Sequence, residues 1–366
     1  MKGYQFEDTQ GTFHLKKAEN ISYLYFPIAG EAGLKSSLTP NLGGDAKIDQ
    51  NTFLLEPVSA ENLVNNRNSR NFWCNVKGIG SWSLTGNAAE ALSKKFTEMQ
   101  DDSEVTAGFM WQKTTRESKK YQLRGEILSF IPVEKNVEVM LVTITNTGRM
   151  AQTVTPTAAI PLYGRSADNI RDHRHVTSLL HRIETTDIGV LVTPTLSFDE
   201  RGHQVNHMTY YCVGWSGNGE KPVDFYPTAE DFVGEGGNFE RPYAIVKKAE
   251  GVKAGTRIEG LEAVGGLHFS EVTLEPEEEC SYLIFTGITE DIQEIRNLSK
   301  TYTTREMVLE ELEKTKAYWQ EKVNVAYHTG DSDFNQFMHW VSFQPILRRI
   351  YGCSFLPHHD YGKGGR

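Results

Sequence analysis

The segment FLPHHDYGKGGR, residues 355–366, gathers side chains that could do chemistry on one glycine-rich loop. His358, His359 and Asp360 are residue types that bind metal ions, but adjacent residues rarely chelate one ion with good geometry, and the spacing suggests no fourth ligand. The GKGG run offers glycine amides and a lysine to an oxyanion. Because it does not match GxxxxGK[ST] and no strand precedes it, a nucleotide-binding loop is disfavoured.

A sugar or sugar-phosphate loop is the interpretation that we favour, and a plain connector is the open alternative. Glycines let the backbone approach a ligand closely. A carboxylate accepts hydrogen bonds from hydroxyl groups, whereas lysine and arginine donate to hydroxyls or to an anion. The predicted substrate-binding residues are Asp360, Tyr361, Lys363 and Arg366. We predict no metal ligand in the chain.

A second basic group lies in RDHRHVTSLLHRI, residues 171–183. Its charged and imidazole side chains are Arg171, His173, Arg174, His175, His181 and Arg182. A metal or phosphate site is conceivable, but we favour an exposed, partly charged loop or an interface patch.

Several aromatic residues could stack on sugar rings, namely Trp73, Trp82, Trp111 and Trp215. In a large β protein most tryptophans are buried, so we expect core positions for most of these four. Tyr318 and Trp319 are expected to pack within a helical linker rather than to bind a ligand.

The composition excludes some classes of partner. The 366 residues include 48 acidic and 38 basic side chains, and the formal charge of -10 disfavours nucleic acid and anionic lipid as partners.

The four cysteines are scattered without a CxxC pair, which favours free thiols in a reducing compartment over disulfides or a zinc cluster. The N-terminal residues are polar, and no apolar run approaches the ~20 residues of a membrane helix. We therefore expect a soluble, cytoplasmic protein.

The elements that must position these residues are mostly strands. Short aromatic and β-branched segments, such as NFWCNV and SYLIFTGI, recur over the first 290 residues between Gly, Pro, Asn and Asp clusters. In EVMLVTITN, residues 138–146, both faces of the predicted strand are apolar, because Val139 and Leu141 alternate with Met140 and Val142. A strand buried on both faces implies packed layers, so the pattern predicts a large antiparallel sandwich.

Two helices are predicted near the C-terminal end of the sequence. The first, within residues 303–323, has a capping box at Thr303 and Glu306, and Val308, Leu312, Trp319 and Val323 form its apolar stripe. The second runs from Asp331 to Tyr351, with Ser332 as its cap and Pro345 as a kink or break. Its apolar face is predicted to consist of Phe334, Phe337, Met338 and Val341.

Five segments in order resemble the N-terminal half of glycoside hydrolase family 94, the inverting phosphorylases of cellobiose, cellodextrins, chitobiose and β-1,2-oligoglucans. They are RGEILSFIPVEKNVEVMLVTITNTG, MTYYCVGWSGNGEKPVDFYPTAEDFVGEGGNF, EGLEAVGGLHFSEVTLEPEEECSYLIFTGIT, EKTKAYWQEKV and DSDFNQFMHWVSFQ. The resemblance covers most of the chain. It implies a mainly β protein with a large antiparallel, galactose-mutarotase-like β-supersandwich, followed by linker helices and an (α/α)6 barrel.

The resemblance implies a supersandwich at residues 1–290, a helical linker at 291–328 and only the start of a truncated catalytic barrel at 329–366. In the family, a loop like HHDYGKGGR runs into an Arg-Asp-x-x-Gln-Asp motif that binds sugar, and the catalytic aspartate comes later. We therefore expect the general acid beyond residue 366 and an inactive chain when these residues stand alone.

The resemblance also implies the reaction and the partners. Phosphate attacks a β-linked gluco-oligosaccharide with inversion, giving α-sugar 1-phosphate, so that one acid and a phosphate site replace the two carboxylates of a hydrolase. Inorganic phosphate is a co-substrate, and no cofactor is expected. Family members are commonly dimers, so a homodimer is predicted.

Two other function classes remain open. The first is a carbohydrate-binding β-sandwich module without chemistry of its own. The second, an epimerase, needs a histidine and a carboxylate that face each other, whereas His268 and Glu271 are predicted on opposite sides of one strand. The epimerase is therefore the weakest of the three hypotheses.

Overall fold

A computed structural model describes residues 3–21, 24–58, 66–199 and 202–352. Its strands are β1 (Tyr4–Phe6), β2 (Phe13–Lys16), β3 (Phe26–Ala29), β4 (Lys35–Leu38), β5 (Ala46–Asp49), β6 (Thr52–Leu55), β7 (Asn71–Val76), β8 (Gly80–Ser83), β9 (Asp102–Gly108), β10 (Trp111–Ser118), β11 (Leu123–Phe130), β12 (Val137–Asn146), β13 (Gln152–Leu162), β14 (Arg182–Thr185), β15 (Gly189–Val192), β16 (Leu196–Asp199), β17 (Gly202–Val205), β18 (Thr209–Ser216), β19 (Asp224–Thr228), β20 (Arg257–Glu259), β21 (Ala263–His268), β22 (Val272–Leu274) and β23 (Glu279–Thr289). Its α-helices are α1 (Ala89–Ser93), α2 (Arg174–Ser178), α3 (Ala229–Val233), α4 (Tyr243–Lys247), α5 (Ile292–Thr301), α6 (Arg305–Glu321) and α7 (Ser332–Tyr351).

The strands form two large antiparallel sheets. The first has eleven strands in the order β1-β2-β9-β10-β11-β12-β23-β18-β15-β14-β20. The second has the order β19-β21-β13-β7-β8, and β22 also pairs with β13. A smaller sheet follows the order β3-β4-β5-β6, and β16 pairs with β17. The predicted fold class, a mainly β supersandwich with a few helices after it, is confirmed.

Strand β12 is central, as the alternating pattern predicts. All ten of its residues are buried, and it lies between β11 and β23 in the large sheet. Met140, Val142 and Ile144 belong to the core shared with the second sheet, whereas Val139 and Leu141 belong to a core on the opposite face. The large sheet is therefore covered on both sides.

Helices α5 and α6 cover the outer face of the large sheet. Ile295 and Leu298 of α5 and Val308 and Leu312 of α6 join the same core as Val139. Trp319, near the end of α6, has no exposed surface and packs in a separate aromatic cluster. The predicted stripe is confirmed for Val308, Leu312 and Trp319, and so is the packing role of Trp319. Val323 lies beyond the end of α6 and is only partly buried.

The cap of α6 differs from the prediction. The helix begins at Arg305, so the cap position belongs to Thr304, one residue after Thr303. A hydrogen bond from the backbone of Glu306 and a second one from the Thr304 side chain lower the pKa of the Glu306 carboxyl. The two adjacent threonines made the sequence ambiguous, because either one followed by an early glutamate fits a capped N-terminus.

Helix α7 differs from its prediction in its cap. Asp331, rather than Ser332, is its cap and accepts a hydrogen bond from Phe334 N at 3.1 Å. The helix continues through Pro345 without a break. The face that docks on the rest of the protein contains Gln336, Phe343 and Leu347. Of the predicted apolar face, Phe334, Phe337 and Val341 are exposed, and Met338 is half-buried.

The last long strand ends at Thr289 and α5 begins at Ile292. The domain boundaries at residues 290 and 328 stay a prediction. Of the helices in the described ranges, none has both the length and the apolar composition that a membrane crossing requires. Cys74, Cys212 and Cys280 are free thiols.

Candidate functional site

The predicted sugar-binding residues Asp360, Tyr361, Lys363 and Arg366 lie outside the described residues, as do His358 and His359. Helix α7 ends at Tyr351, and Gly352 follows with φ 74°, a left-handed conformation that glycine adopts without strain. The end of α7 therefore sets where the loop departs. The contacts that fix this end are the described part of the candidate site.

An ion pair joins the end of α7 to the turn between β3 and β4. Arg349 donates from Nη2 to Glu31 Oε1 at 2.6 Å and from Nη1 to Glu31 Oε2 at 2.8 Å. Tyr318 of α6 donates its hydroxyl to Glu31 Oε1 at 2.9 Å. The hydrogen bond from Arg349 is the main cause that holds the pKa of Glu31 below its ordinary value. One carboxylate thus connects the linker helix, the β3–β4 hairpin and α7.

Two further contacts bind the last turn of α7 to the same hairpin. The Tyr351 hydroxyl lies 2.8 Å from Ile28 O and 2.7 Å from Ser36 O. Lys35 donates from Nζ to Ile350 O at 3.1 Å, which satisfies a carbonyl that a helix end leaves without an intrahelical partner. Burial lowers the pKa of Lys35. Together with Glu31, these residues form what we call the hairpin anchor, comprising Ile28, Glu31, Lys35 and Ser36.

The hairpin anchor is itself fixed to the large sheet by a buried ion pair. Arg70 donates from Nε to Glu138 Oε1 at 2.6 Å and from Nη2 to Oε2 at 2.9 Å. Ser36 donates to Glu138 Oε2 at 2.5 Å, and Arg70 also reaches Gly44 O at 2.7 Å. Arg70 and Glu138 are almost fully buried, at 1% and 2% exposure. Because each charge is paired and hydrogen-bonded, the network holds β4 against β12 in one arrangement.

An aromatic cluster fixes the middle of α7. Phe343 stacks on Phe109 with ring centroids 4.5 Å apart, and Trp340 meets Phe109 edge-on at 4.6 Å. Trp340 Nε1 donates to Gly11 O at 2.7 Å, and Gln336 Oε1 accepts from Gly11 N at 3.0 Å. Helix α7 is therefore held along its length by the backbone of the turn between β1 and β2 and by side chains of the sandwich.

This arrangement orients a helix and supplies no acid. Glu31, the carboxylate at the end of α7, is engaged by Arg349 and Tyr318, which favours its ionised form rather than the protonated form that a leaving group needs. Among the residues that the structure describes, no three His, Cys, Asp or Glu side chains converge to hold a metal ion.

Some side chains of the basic group at residues 171–183 are exposed to solvent, and others are buried in the protein. His173 and His175 are exposed, as predicted, with ring centroids 5.3 Å apart. His181 is fully buried, and its burial lowers its pKa to about 3. Arg174 pairs with Glu56 and, at 3.2 Å, with Glu262. The prediction of an exposed charged loop is therefore wrong for His181 and Arg174, whose partners are distant in the sequence.

Three of the four predicted tryptophans belong to the core. Trp73, Trp82 and Trp215 are buried, as expected for most of this set. Trp111 is partly accessible and lines a groove beside α6. It is the member of the set that can contact a ligand.

The pair that an epimerase would need is not formed by His268 and Glu271. His268 Nδ1 lies 2.8 Å from Asp224 Oδ1, its cross-strand partner on β19. Glu271 lies between β21 and β22 and pairs with Lys77 at 3.3 Å. The prediction that both residues sit on one strand is wrong, because β21 ends at His268.

The family profile described as "Glycosyl hydrolase 94, supersandwich domain" matches residues 57–305. The chain belongs to this family. A search of curated proteins finds no match. The family 94 supersandwich therefore accounts for the two-sheet architecture from the end of β6 to the start of α6.

Similar solved structures share little sequence identity with this chain. A protein named as a kojibiose phosphorylase from human microbiome aligns with a TM-score of 0.51 and 9% identity, over 94% of this chain and 42% of that one. A bacterial glucoamylase in complex with acarbose aligns with a TM-score of 0.49 and 9% identity, over 87% of this chain and 40% of that one. The chain thus spans less than half the length of both proteins.

Sequence reasoning missed the hairpin anchor. Glu31 lies in a short turn and Lys35 begins β4, neither within a recognisable motif, and their partners are more than 300 residues away. A signal did exist for the buried pair, because Glu138 is the only charged residue in a fully buried strand and therefore requires a buried partner.

Proposed function

We propose that residues 1–366 form the supersandwich and linker part of an inverting glycoside phosphorylase. This enzyme cleaves β-linked gluco-oligosaccharides with inorganic phosphate and releases α-sugar 1-phosphate. The observation that carries the proposal is the family 94 match over residues 57–305. In this account α7 is the first helix of the catalytic barrel, and the general acid lies beyond residue 366.

The sandwich acts as a rigid support for the mouth of the active site. The hairpin anchor fixes the last turn of α7, and the Arg70–Glu138 pair fixes the anchor to the large sheet. The loop that follows α7 then starts from a defined position. Such support matters because catalytic and binding groups must stay within about 0.5 Å of their productive geometry.

The loop residues have distinct roles in this proposal. Lys363 and Arg366 donate to sugar hydroxyls or to phosphate, Asp360 accepts from hydroxyls, and Tyr361 completes the set. No metal or other cofactor takes part, because phosphate is already an anionic nucleophile. The active protein is a cytoplasmic homodimer, with no nucleic acid or membrane partner.

Kinetics of the protein encoded by the complete gene test the role of the loop. Lys363→Ala and Arg366→Ala should each lower kcat/KM for phosphorolysis of cellobiose or sophorose by about ten- to a hundredfold, because a charged hydrogen bond to the substrate is lost. Residues 1–366 alone should release no sugar 1-phosphate. Unchanged kinetics in both variants would reduce the loop to a connector, and turnover by residues 1–366 would overturn the placement of the acid.

A further inference from the structure

A groove runs between the N-terminal turn and the linker helix α6. Its volume is about 310 Å³, which is at the lower end of the range for small-molecule sites. The side chains that can contact a ligand there are Asp8, Gln10, Thr12, Trp111, Lys316 and Gln320. The groove is distinct from the end of α7, where the predicted sugar-binding loop departs.

Trp111 provides an apolar surface in this groove. Its indole packs partly against the core beneath α6, and the rest of the ring is accessible. The indole lies so close to residue 108 that only glycine fits there: a Cβ at this residue would lie 2.5 Å from Trp111 Nε1. The backbone turn between β9 and β10 therefore seats the ring at the groove wall.

The polar side chains around Trp111 have unused hydrogen-bonding capacity. Within the described ranges, the side-chain amides of Gln10 and Gln320 make no hydrogen bond with protein, so each offers two donors and an acceptor. Asp8 uses Oδ1 to accept from the backbone of residues 10 and 12, at 2.8 and 3.0 Å. Planar amides and a carboxylate beside an indole suit a ligand with hydroxyls at its rim and C–H groups on its face.

Lys316 lies over the indole of Trp111 and would have to move before a ligand could stack on that ring. Its Nζ is 4.4 Å from the Trp111 ring centroid and 2.8 Å from Glu313 Oε1. Both interactions are near the surface, where a cation–π contact or an exposed ion pair contributes little, and the lysine stem rotates freely. A displaced Lys316 could donate to a ligand hydroxyl instead. The groove contains two carboxylates, Asp8 and Glu313, and one cation, Lys316. Its net charge is therefore negative, which disfavours an anionic ligand.

We propose that this groove is a second carbohydrate-binding site, which holds a neutral gluco-oligosaccharide on the supersandwich. One pyranose ring stacks on Trp111, and its hydroxyls bond to Gln10, Gln320 and Asp8. The choice of glucose units rests on the proposed function, whereas the site itself rests on the groove. Such a site would hold the substrate chain near the barrel without taking part in bond cleavage.

Titration calorimetry with residues 1–366 tests this site, with cellohexaose and a β-1,2-linked glucohexaose as probes and no phosphate present. We expect saturable binding to at least one probe. Trp111→Ala should weaken it about tenfold or more, because the stacking surface is lost. Gln320→Ala, at a half-buried position of α6, should weaken binding about three- to tenfold. This variant keeps the proposal testable if the tryptophan variant unfolds.

Tyr243→Ala is the matched control, because Tyr243 is also an accessible aromatic residue but lies on α4, in another groove. It should bind the probes as the wild type does. The proposal is overturned if the wild type binds neither probe, or if the Trp111 and Gln320 variants both bind with unchanged affinity. Since the assay measures no turnover, its failure leaves the phosphorylase proposal in place, and failed phosphorolysis leaves this site in place.

Discussion

Glu138 shows how one residue can tie a strand to a distant hairpin. It lies on β12, the central strand of the large sheet, and its carboxylate accepts from Arg70 and Ser36. A charge in such a position is tolerated only when it is paired and hydrogen-bonded. Arg70 and Ser36 are therefore parts of one unit with Glu138.

Replacement of Arg70 by methionine should be strongly destabilising. The change leaves the Glu138 carboxylate buried without its cation, which typically costs about 3–5 kcal/mol in the free energy of unfolding. Urea unfolding followed by circular dichroism measures this cost. The double variant Arg70→Met, Glu138→Leu should recover much of the loss, because no buried charge remains. A single variant with wild-type stability would show that the pair does not hold β4 to the sheet.

Replacement of Glu31 by glutamine tests the hairpin anchor. Because Arg349 lowers the pKa of Glu31 in the folded protein, the ion pair stabilises fully above the unfolded value of about 4.5 and is lost as pH falls through the folded value. We expect Glu31→Gln to reduce stability by about 0.5–1 kcal/mol at neutral pH, and the difference from wild type to shrink in acid.

Hydrogen exchange should separate this local effect from general destabilisation. Exchange in the last turn of α7 should rise in Glu31→Gln. The control Glu279→Gln removes an ion pair with Arg305 at the first turn of α6 and should leave that turn of α7 unchanged. Equal exchange in the two variants would contradict the role of Glu31.

At the scale of elements, α7 has one docked face and one open face. Phe334, Phe337 and Val341 are 46%, 54% and 41% exposed, although they were predicted to form the apolar face of the helix. The predicted pattern is real, but the sandwich uses the opposite face, which contains Phe343 and Leu347. A helix that is apolar on both sides is typical of one that packs between two partners. Under the proposed function, the second partner is the rest of the barrel.

The open face of α7 should cause residues 1–366 to self-associate when they are produced alone. Exposed apolar patches promote association, so light scattering should show a mass that increases with protein concentration. The paired changes Phe337→Glu and Val341→Lys should reduce it without loss of fold. The control Met150→Lys changes an apolar side chain that is 72% exposed elsewhere and should have no effect. A strict monomer at all concentrations would contradict this account of α7.

At the scale of the whole molecule, periodicity was sufficient to predict the layers but not the contacts between distant segments. The apolar alternation in β12 and the apolar stripe of α6 predicted which side chains of these two elements are buried, because the spacing of apolar residues within one element reflects its burial. The partners of Glu31, Arg174 and His181 are set by the tertiary arrangement, which local patterns do not record. The same limit explains why the pattern did not show which face of α7 docks on the sandwich: both faces carry apolar residues.

The loop residues from Asp360 to Arg366 stay a prediction from their chemistry and from the family resemblance, because they lie outside the described residues. The contacts that hold the end of α7 could not be predicted from the sequence, because they join residues more than 300 positions apart. We propose that the hairpin anchor supports the active site of an enzyme that cleaves its substrate with phosphate in place of water. A measurement of the cleavage reaction tests this proposal most directly.

The decisive measurement is proton NMR of the first product that the protein encoded by the complete gene forms from cellobiose or sophorose. In the presence of inorganic phosphate, the account predicts α-glucose 1-phosphate, because attack on the face opposite the leaving group inverts the β-linkage. Without phosphate it predicts no cleavage. Formation of the β-anomer, or release of free glucose at the same rate without phosphate, would contradict an inverting phosphorylase.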